Sequence, residues 1–199
     1  MKKIIDHFKK NDPLLYPYFR KTRNIRPVKK DYPSSYFSHL CKEIICQQLS
    51  DKAGDAILAR FIKLFPNMLV QPVDLLSISH EKLRSVGMSH AKARYLRNLA
   101  EAITGGDLAV FHLDVMTDGE VIEELTKVKG IGPWTAEMFL MFAMGREDIF
   151  SYGDLGLRKA IQKIYRFKKE PTKKQMEKII SPWSPYKTYA SRILWASLA

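Results

Sequence analysis

The sequence predicts an all-α protein of two helical lobes, and three observations carry that prediction. Apolar residues recur three and four apart through most of the chain, the spacing of helices with one buried face. Strand signals are nearly missing: only DIFSYG, Asp148 to Gly153, reads as briefly extended. Helix, glycine-containing turn, helix occurs around Gly87 and again around Gly130, a faint internal echo that suggests lobes built on helical hairpins. The 199 residues are read as a single domain, with one lobe at about 35–126 and the other at 1–34 plus 127–199.

Each helix has a local signature. No element is read in residues 1–34, which are assigned to the second lobe with the C-terminal helices. SYFSHLCKEIICQQLSDKAGDAILARFIKLF, Ser35 to Phe65, is expected as one helical stretch ending before Pro66. Pro72 to Leu76 follows, then Ser79 to Val86, where Ser79 caps and Glu81 stands in the first turn. Ser89 to Thr104 is amphipathic and closes on Gly105-Gly106. Thr117 to Lys127 opens on a capping box made with Glu120. Pro133 to Met144 starts on a proline, whose missing N–H costs nothing there, and Trp134, Met138, Met141 and Phe142 form one apolar stripe. Asp154 to Tyr165, Thr172 to Ile180 and Pro185 to Leu198 complete the set.

Lysine and arginine outnumber acids 33 to 21, a formal charge of +12 that favours a polyanionic partner. A basic surface serving solubility alone remains the alternative. No apolar run approaches the ~18–20 residues that span a bilayer. MKKIIDHFKKNDP lacks the apolar core of a signal peptide, so the chain is expected in a reducing interior. Cys41 and Cys46 suit two buried small side chains better than a disulfide or zinc site, and two cysteines cannot ligate a four-cysteine cluster. The five histidines show no ligand spacing.

The turn VKGIGPWT, Val128 to Thr135, is the most informative stretch. Glycines at 130 and 132 permit positive φ and close approach of another backbone. The segment 127–133 would direct amide N–H groups outward at a helix start, a nest suited to a phosphodiester. A purely structural corner explains the glycines equally well. Asp154 has a local explanation too, as the N-cap of the helix that follows, held rigidly at the positive end of its dipole.

LTKVKGIGPWTAEMF resembles the helix–hairpin–helix signature of the DNA glycosylase superfamily, in which a catalytic aspartate follows the hairpin. The resemblance places an active-site cleft between the lobes and phosphate contacts at Lys129, Gly130 and Gly132. It also implies a structural Na+ or K+ held by the main-chain carbonyls of Thr126, Val128 and Ile131, and no other cofactor. Asp154, 22 residues after Gly132, stands where the catalytic aspartate belongs. Strand-nicking relatives carry a lysine nucleophile in GxGxKT. Here GIGPWT puts Trp134 at that place, so the resemblance implies a monofunctional hydrolase.

The tryptophan points to the alkylbase branch, of 3-methyladenine DNA glycosylase II type. There Trp134 would stack on an electron-poor methylated purine; a core position is the alternative. Met138, one turn on, stands where some members carry an aromatic pocket residue. KEIICQQLSDKAG resembles the branch's IxGQQxSxxAA helix and turn, which makes Gln48 the wedge entering the gap left by a flipped base, with Cys46 in place of the usual glycine. VGMSHAKARYLRNLAEAI resembles GxSxxKAxYLxxLA and assigns phosphate contacts to Ser89 and Lys92. SPWSPYKTYASRILWASLA resembles PWxPYRSxAxxxLW; Trp195 matches a pocket residue and Trp183 a structural one. With 34 residues ahead of the matched region, the short form without an N-terminal α/β lobe is expected.

The resemblance therefore implies base excision repair. The substrates would be alkylated purines of 3-methyladenine and 7-methylguanine type, flipped from damaged duplex DNA and hydrolysed at the N-glycosidic bond. A monomer without membrane contact is expected, in the nucleoid and cytoplasm of a bacterium or archaeon or the nucleus of a eukaryote. A non-catalytic binder of damaged DNA and a glycosylase for another lesion class are the alternatives.

Overall fold

The computed structural model describes residues 1–22 and 25–198, and no strand occurs among them. In chain order the helices are α1 (Lys2–Asn11), α2 (Tyr16–Lys21), α3 (Tyr36–Cys46), α4 (Asp51–Ile62), α5 (Pro72–Ser77), α6 (His80–Ser85), α7 (His90–Thr104), α8 (Asp118–Thr126), α9 (Pro133–Phe142), α10 (Leu155–Ile164), α11 (Lys173–Ile180) and α12 (Lys187–Ala196). Short 3-10 turns cover Pro33–Ser35, Pro66–Met68, Val110–Val115 and Ser181–Trp183. The chain forms two compact units, residues 30–144 and residues 1–29 with 145–199.

The boundary differs from the expected one at 34 and 126. α9 packs on both α8 and α3, so the hairpin and the helix after it belong to the 30–144 unit. The stretch expected as one helix from 35 to 65 is two, α3 and α4, broken where Gln48 turns left-handed at φ 56°. Ser50 caps the new helix, its hydroxyl accepting from the Ala53 N–H. α1 and α2 were not expected. Ile4 and Phe8 are the buried residues of α1, one turn apart, and Phe19 is that of α2, which at six residues is too short to show a period.

In the 30–144 unit α3 is the central element, packing on α4, α7 and α9. Leu40, Cys41, Ile44 and Ile45 are fully buried there. The Tyr36 ring meets Phe139 edge-on at 5.0 Å, and its hydroxyl donates to Asp114 at 2.6 Å. On α4, a Cβ at Gly54 would stand 2.9 Å from the Cys46 sulfur, so the missing side chain lets α4 close on the end of α3. Both cysteines are free thiols, and burial pushes Cys41 well up. The side-chain caps expected at Ser79 and Thr117 are present, with the full capping box at Thr117 and Glu120, and Ser89 caps α7 in the same way.

In the other unit α10 packs against α12, around a core that includes Phe8, Leu15, Ile161, Trp183, Ile193 and Leu194. Asp12 is buried and ties the N-terminal segment to the C-terminal one. Its carboxylate accepts from Leu15 N at 2.9 Å, Trp183 Nε1 at 2.6 Å and the Tyr165 hydroxyl. A buried carboxylate needs such a full set of donors. Burial, then Asp12, pushes the Tyr165 phenol up, which keeps it a donor. Trp183, fully buried, has the structural position its motif implied.

Candidate functional site

Asp154 is the N-cap of α10, and Oδ1 accepts from Leu157 N at 2.7 Å. The same oxygen accepts from Trp195 Nε1 on α12 at 3.0 Å. One carboxylate oxygen is thus fixed by a helix N-terminus and an indole, and only 9% of the residue is exposed. Between them lies Gly156. A Cβ there would stand 3.1 Å from both Asp154 Oδ1 and Trp195 Cδ1, so the glycine makes room for the indole to reach the carboxylate. Such a group is preorganised: little reorganisation separates it from a role beside developing positive charge. Trp195 therefore serves the carboxylate directly, a contact that its motif alone did not show.

The hairpin's two glycines do different things. Gly130 has φ +113°, and a Cβ there would stand 2.3–2.7 Å from Tyr95 Cγ, Cβ and Cδ1. A side chain, not a backbone, makes the close approach. Gly132 is the N-cap of α9 at φ −98°, and a Cβ there would meet nothing within 4 Å. Positive φ was expected at both positions and is needed only at 130. The open space at Gly132 leaves the N-terminus of α9 accessible to an anion. Gly87, at φ +104° between α6 and α7, repeats the hairpin geometry, as the internal echo suggested.

The carbonyls of the turn are partly engaged. Lys129 O accepts from Asn98 Nδ2 at 3.0 Å and Gly130 O from Gln47 Nε2 at 3.1 Å. Val128 O accepts from Ile131 N at 3.0 Å. Of the three carbonyls expected to hold a cation, Val128 O is thus engaged within the turn, though a carbonyl oxygen keeps a second lone pair. The Lys129 side chain is exposed, as a phosphate contact requires.

Trp134 and Met138 both lie on α9, one turn apart. Trp134 is half-buried, whereas Met138 is 3% exposed and Phe142 40% exposed. The expected single stripe is therefore not one face: Met138 and Met141 are core, and Phe142 is outside. Met138 lies beneath the surface rather than on an open pocket wall.

Gln48 is exposed on the turn after α3, with the backbone twist described above. Ser89 is exposed and caps α7 through its hydroxyl, which accepts from Lys92 N at 3.2 Å. Lys92 differs from expectation. Its ammonium donates to Ile45 O at 2.8 Å and Gln47 O at 2.7 Å, the carbonyls at the end of α3. Those helix-end acceptors compete with any phosphate. Burial lowers the Lys92 pKa, with nearby Cys46 pulling the other way. Gln47, read only as the residue before the wedge, holds the hairpin instead, through Gly130 O and Thr135 Oγ1. Tyr95, the tyrosine of the GxSxxKAxYLxxLA motif, and Asn98 lie three apart on α7 and both reach the hairpin, a contact the sequence alone does not show.

A helix–hairpin–helix turn in one unit and a capped, indole-bound aspartate in the other define a class of DNA repair protein. Residues 41–185 match the HhH-GPD superfamily of base excision DNA repair proteins, and the chain belongs to it. Within that superfamily the similarity is to alkylbase enzymes. DNA-3-methyladenine glycosylase 1 of Schizosaccharomyces pombe is 32% identical, over 86% of this chain and 76% of that protein. A solved 3-methyladenine DNA glycosylase of the same organism, in complex with abasic DNA, superposes with a TM-score of 0.89 at 30% identity, covering 98% of this chain and 96% of that one. A DNA-3-methyladenine glycosidase from Bacillus halodurans gives 0.80 at 35% identity, covering 98% and 88%.

Proposed function

We propose that the protein is a monofunctional glycosylase that releases alkylated purines from duplex DNA, with Asp154 as its catalytic carboxylate. The observation that carries this reading is the fixed Asp154 Oδ1, held by Leu157 N–H and the Trp195 indole. Cleavage breaks the C1′–N bond, whose electron pair leaves with the base. A purine alkylated on a ring nitrogen is already cationic and departs neutral, so no strong acid at the base is needed. The sugar becomes an oxocarbenium ion, which a fixed anion stabilises. Water then adds to C1′ and its proton passes to the carboxylate, the general base.

The other assignments follow this reading. Trp134 stacks on the cationic base through its π-face, and Gln48 fills the space the base vacates. Lys129, the amides around Gly130 and Gly132, and the exposed N-terminus of α7 at Ser89 receive backbone phosphates. Thr126, Val128 and Ile131 carbonyls would hold Na+ or K+, which would add positive charge beside a phosphate. No amine stands at position 134, so no Schiff base forms and the abasic strand stays intact. Among the described residues no helix is long and apolar enough to cross a membrane. The protein works as a monomer where the chromosome lies: nucleoid or nucleus.

The test is single-turnover release of 3-methyladenine and 7-methylguanine from methylated duplex. Asp154→Asn is expected to lose a factor on the order of 10²–10³ or more. Equal release by both proteins removes the catalytic assignment, and stable binding with no release by the wild type favours a pure binder. Strand incision, or borohydride trapping of an enzyme–DNA adduct, would overturn the monofunctional reading.

A further inference from the structure

α3 ends without the usual glycine. Its C-cap, Gln47, has φ −47° and ψ 128°, and the next residue, Gln48, takes φ 56°. A residue with a Cβ holds that conformation only where its surroundings impose it. Two side chains hold this turn, one from α7 and one of the turn's own that reaches away to the hairpin. The Lys92 ammonium, from α7, gathers the carbonyls of Ile45 and Gln47 on either side of Cys46. The Gln47 amide nitrogen donates to Gly130 O at 3.1 Å, in the hairpin, and to Thr135 Oγ1 at 3.0 Å, in the first turn of α9. Gly130 O accepts only, so the nitrogen face of the amide must point at it. Thr135 is 2% exposed and immediately follows Trp134.

We infer that Gln47 is a positioning residue that couples the hairpin to the base-displacing turn, with Lys92 fixing the turn's other side. This rests on the proposed wedge role of Gln48. One side chain spans the turn carrying Gln48, the glycine of the phosphate-binding loop and the residue beside the base-stacking indole. Seating the hairpin on phosphates therefore sets where Gln48 stands, and insertion into the duplex keeps a defined register with the gripped backbone. Lys92 contributes by neutralising the end of α3 from inside the fold, not by touching DNA.

The test is a double-mutant cycle on single-turnover release of 7-methylguanine. It uses Gln47→Met, which keeps length and charge but loses both donors, Gln48→Ala, and the pair together. Each single change is expected to slow release by about tenfold, because extrusion of a base has to be offset by the wedge. Affinity for undamaged duplex should stay within about twofold, which separates the turn from the phosphate grip. The double variant is expected to be no slower than Gln48→Ala. A purely structural Gln47 would slow the Gln48→Ala protein by the same factor as the wild type, and that result overturns the inference. So does a wild-type rate for Gln47→Met. A wild-type rate for Gln48→Ala instead overturns the wedge reading itself. Thr135→Val supplies a second probe if Gln47→Met folds poorly: it removes one acceptor, and its smaller slowing must also vanish in the Gln48→Ala background.

Discussion

Replacing each hairpin glycine with alanine should separate stability from DNA binding. At Gly130 the new Cβ meets Tyr95 Cβ at 2.4 Å and Cγ at 2.3 Å, atoms too near the α7 backbone to swing aside. Forcing a residue with a Cβ to φ +113° adds strain of about 1–3 kcal/mol. Overpacking adds about 1–3 kcal/mol. Gly130→Ala should therefore destabilise by roughly 2–6 kcal/mol, a fall in Tm on the order of 10 °C for a chain of this size. At Gly132, φ −98° suits alanine and the Cβ meets nothing within 4 Å. Reduced freedom of the unfolded chain stabilises by about 0.4–1 kcal/mol, and a poorer N-cap offsets about the same. The Tm of Gly132→Ala should stay within about 3 °C of wild type. Its methyl group, however, stands where a phosphate would reach the amides of α9. Loss of one charge-assisted hydrogen bond of about 1.5–3 kcal/mol weakens duplex binding about tenfold or more. Thermal melting and fluorescence anisotropy on a short duplex read the two effects. Wild-type affinity in Gly132→Ala would show that no phosphate comes there, and wild-type melting in Gly130→Ala would refute the packing account.

Further changes probe the carboxylate and the rest of the chain. Trp195→Phe keeps an aromatic side chain, though a smaller one, but removes the N–H that reaches Asp154 Oδ1, and is expected to lower single-turnover release about tenfold with little change in duplex affinity. An unchanged rate would make Trp195 a packing residue only. Duplex affinity should fall steeply with salt, log K declining linearly with log salt as basic groups displace counterions, and a flat dependence would refute a phosphate-led interface. Burial lowers the His39 pKa against the opposing pull of Asp31, with Lys42 adding to the lowering. The unfolded chain then binds a proton more readily, so this contribution to stability is intact above the unfolded value and is lost as pH falls below about 6.5. Melting temperature should drop further between pH 7 and 5 in the wild type than in His39→Gln, and parallel curves would contradict that.

The elements legible in the sequence are those whose signal lies within a turn or two. Ser79, Ser89 and Thr117 each bond the N–H three residues on, so type and spacing suffice to find them. The break between α3 and α4 is hidden in the periodicity, because apolar spacing runs through KEIICQQLSDKAG and glutamine does not advertise a left-handed backbone; only the motif resemblance implied a turn there. α1 carries a helical spacing in Ile4, Ile5 and Phe8, set among charged residues, and its packing partners lie in the C-terminal segment. Lys92 looked like a phosphate ligand because it follows an exposed helix N-terminus; its long stem instead carries the ammonium back to carbonyls 45 and 47 residues away in sequence.

By itself the sequence determined the all-helical class, the glycine hairpin and an aspartate at the head of a helix. Each depends on residue type and near-neighbour spacing, which the chain carries before it folds. Tertiary structure alone decided that Trp195, 41 residues away, donates to that aspartate, that Gln47 reaches across 83 residues to the hairpin, and that Tyr95 fills the space a side chain at 130 would need. Such contacts arise from how helices pack, and many sequences with the same local signals would pack those side chains elsewhere.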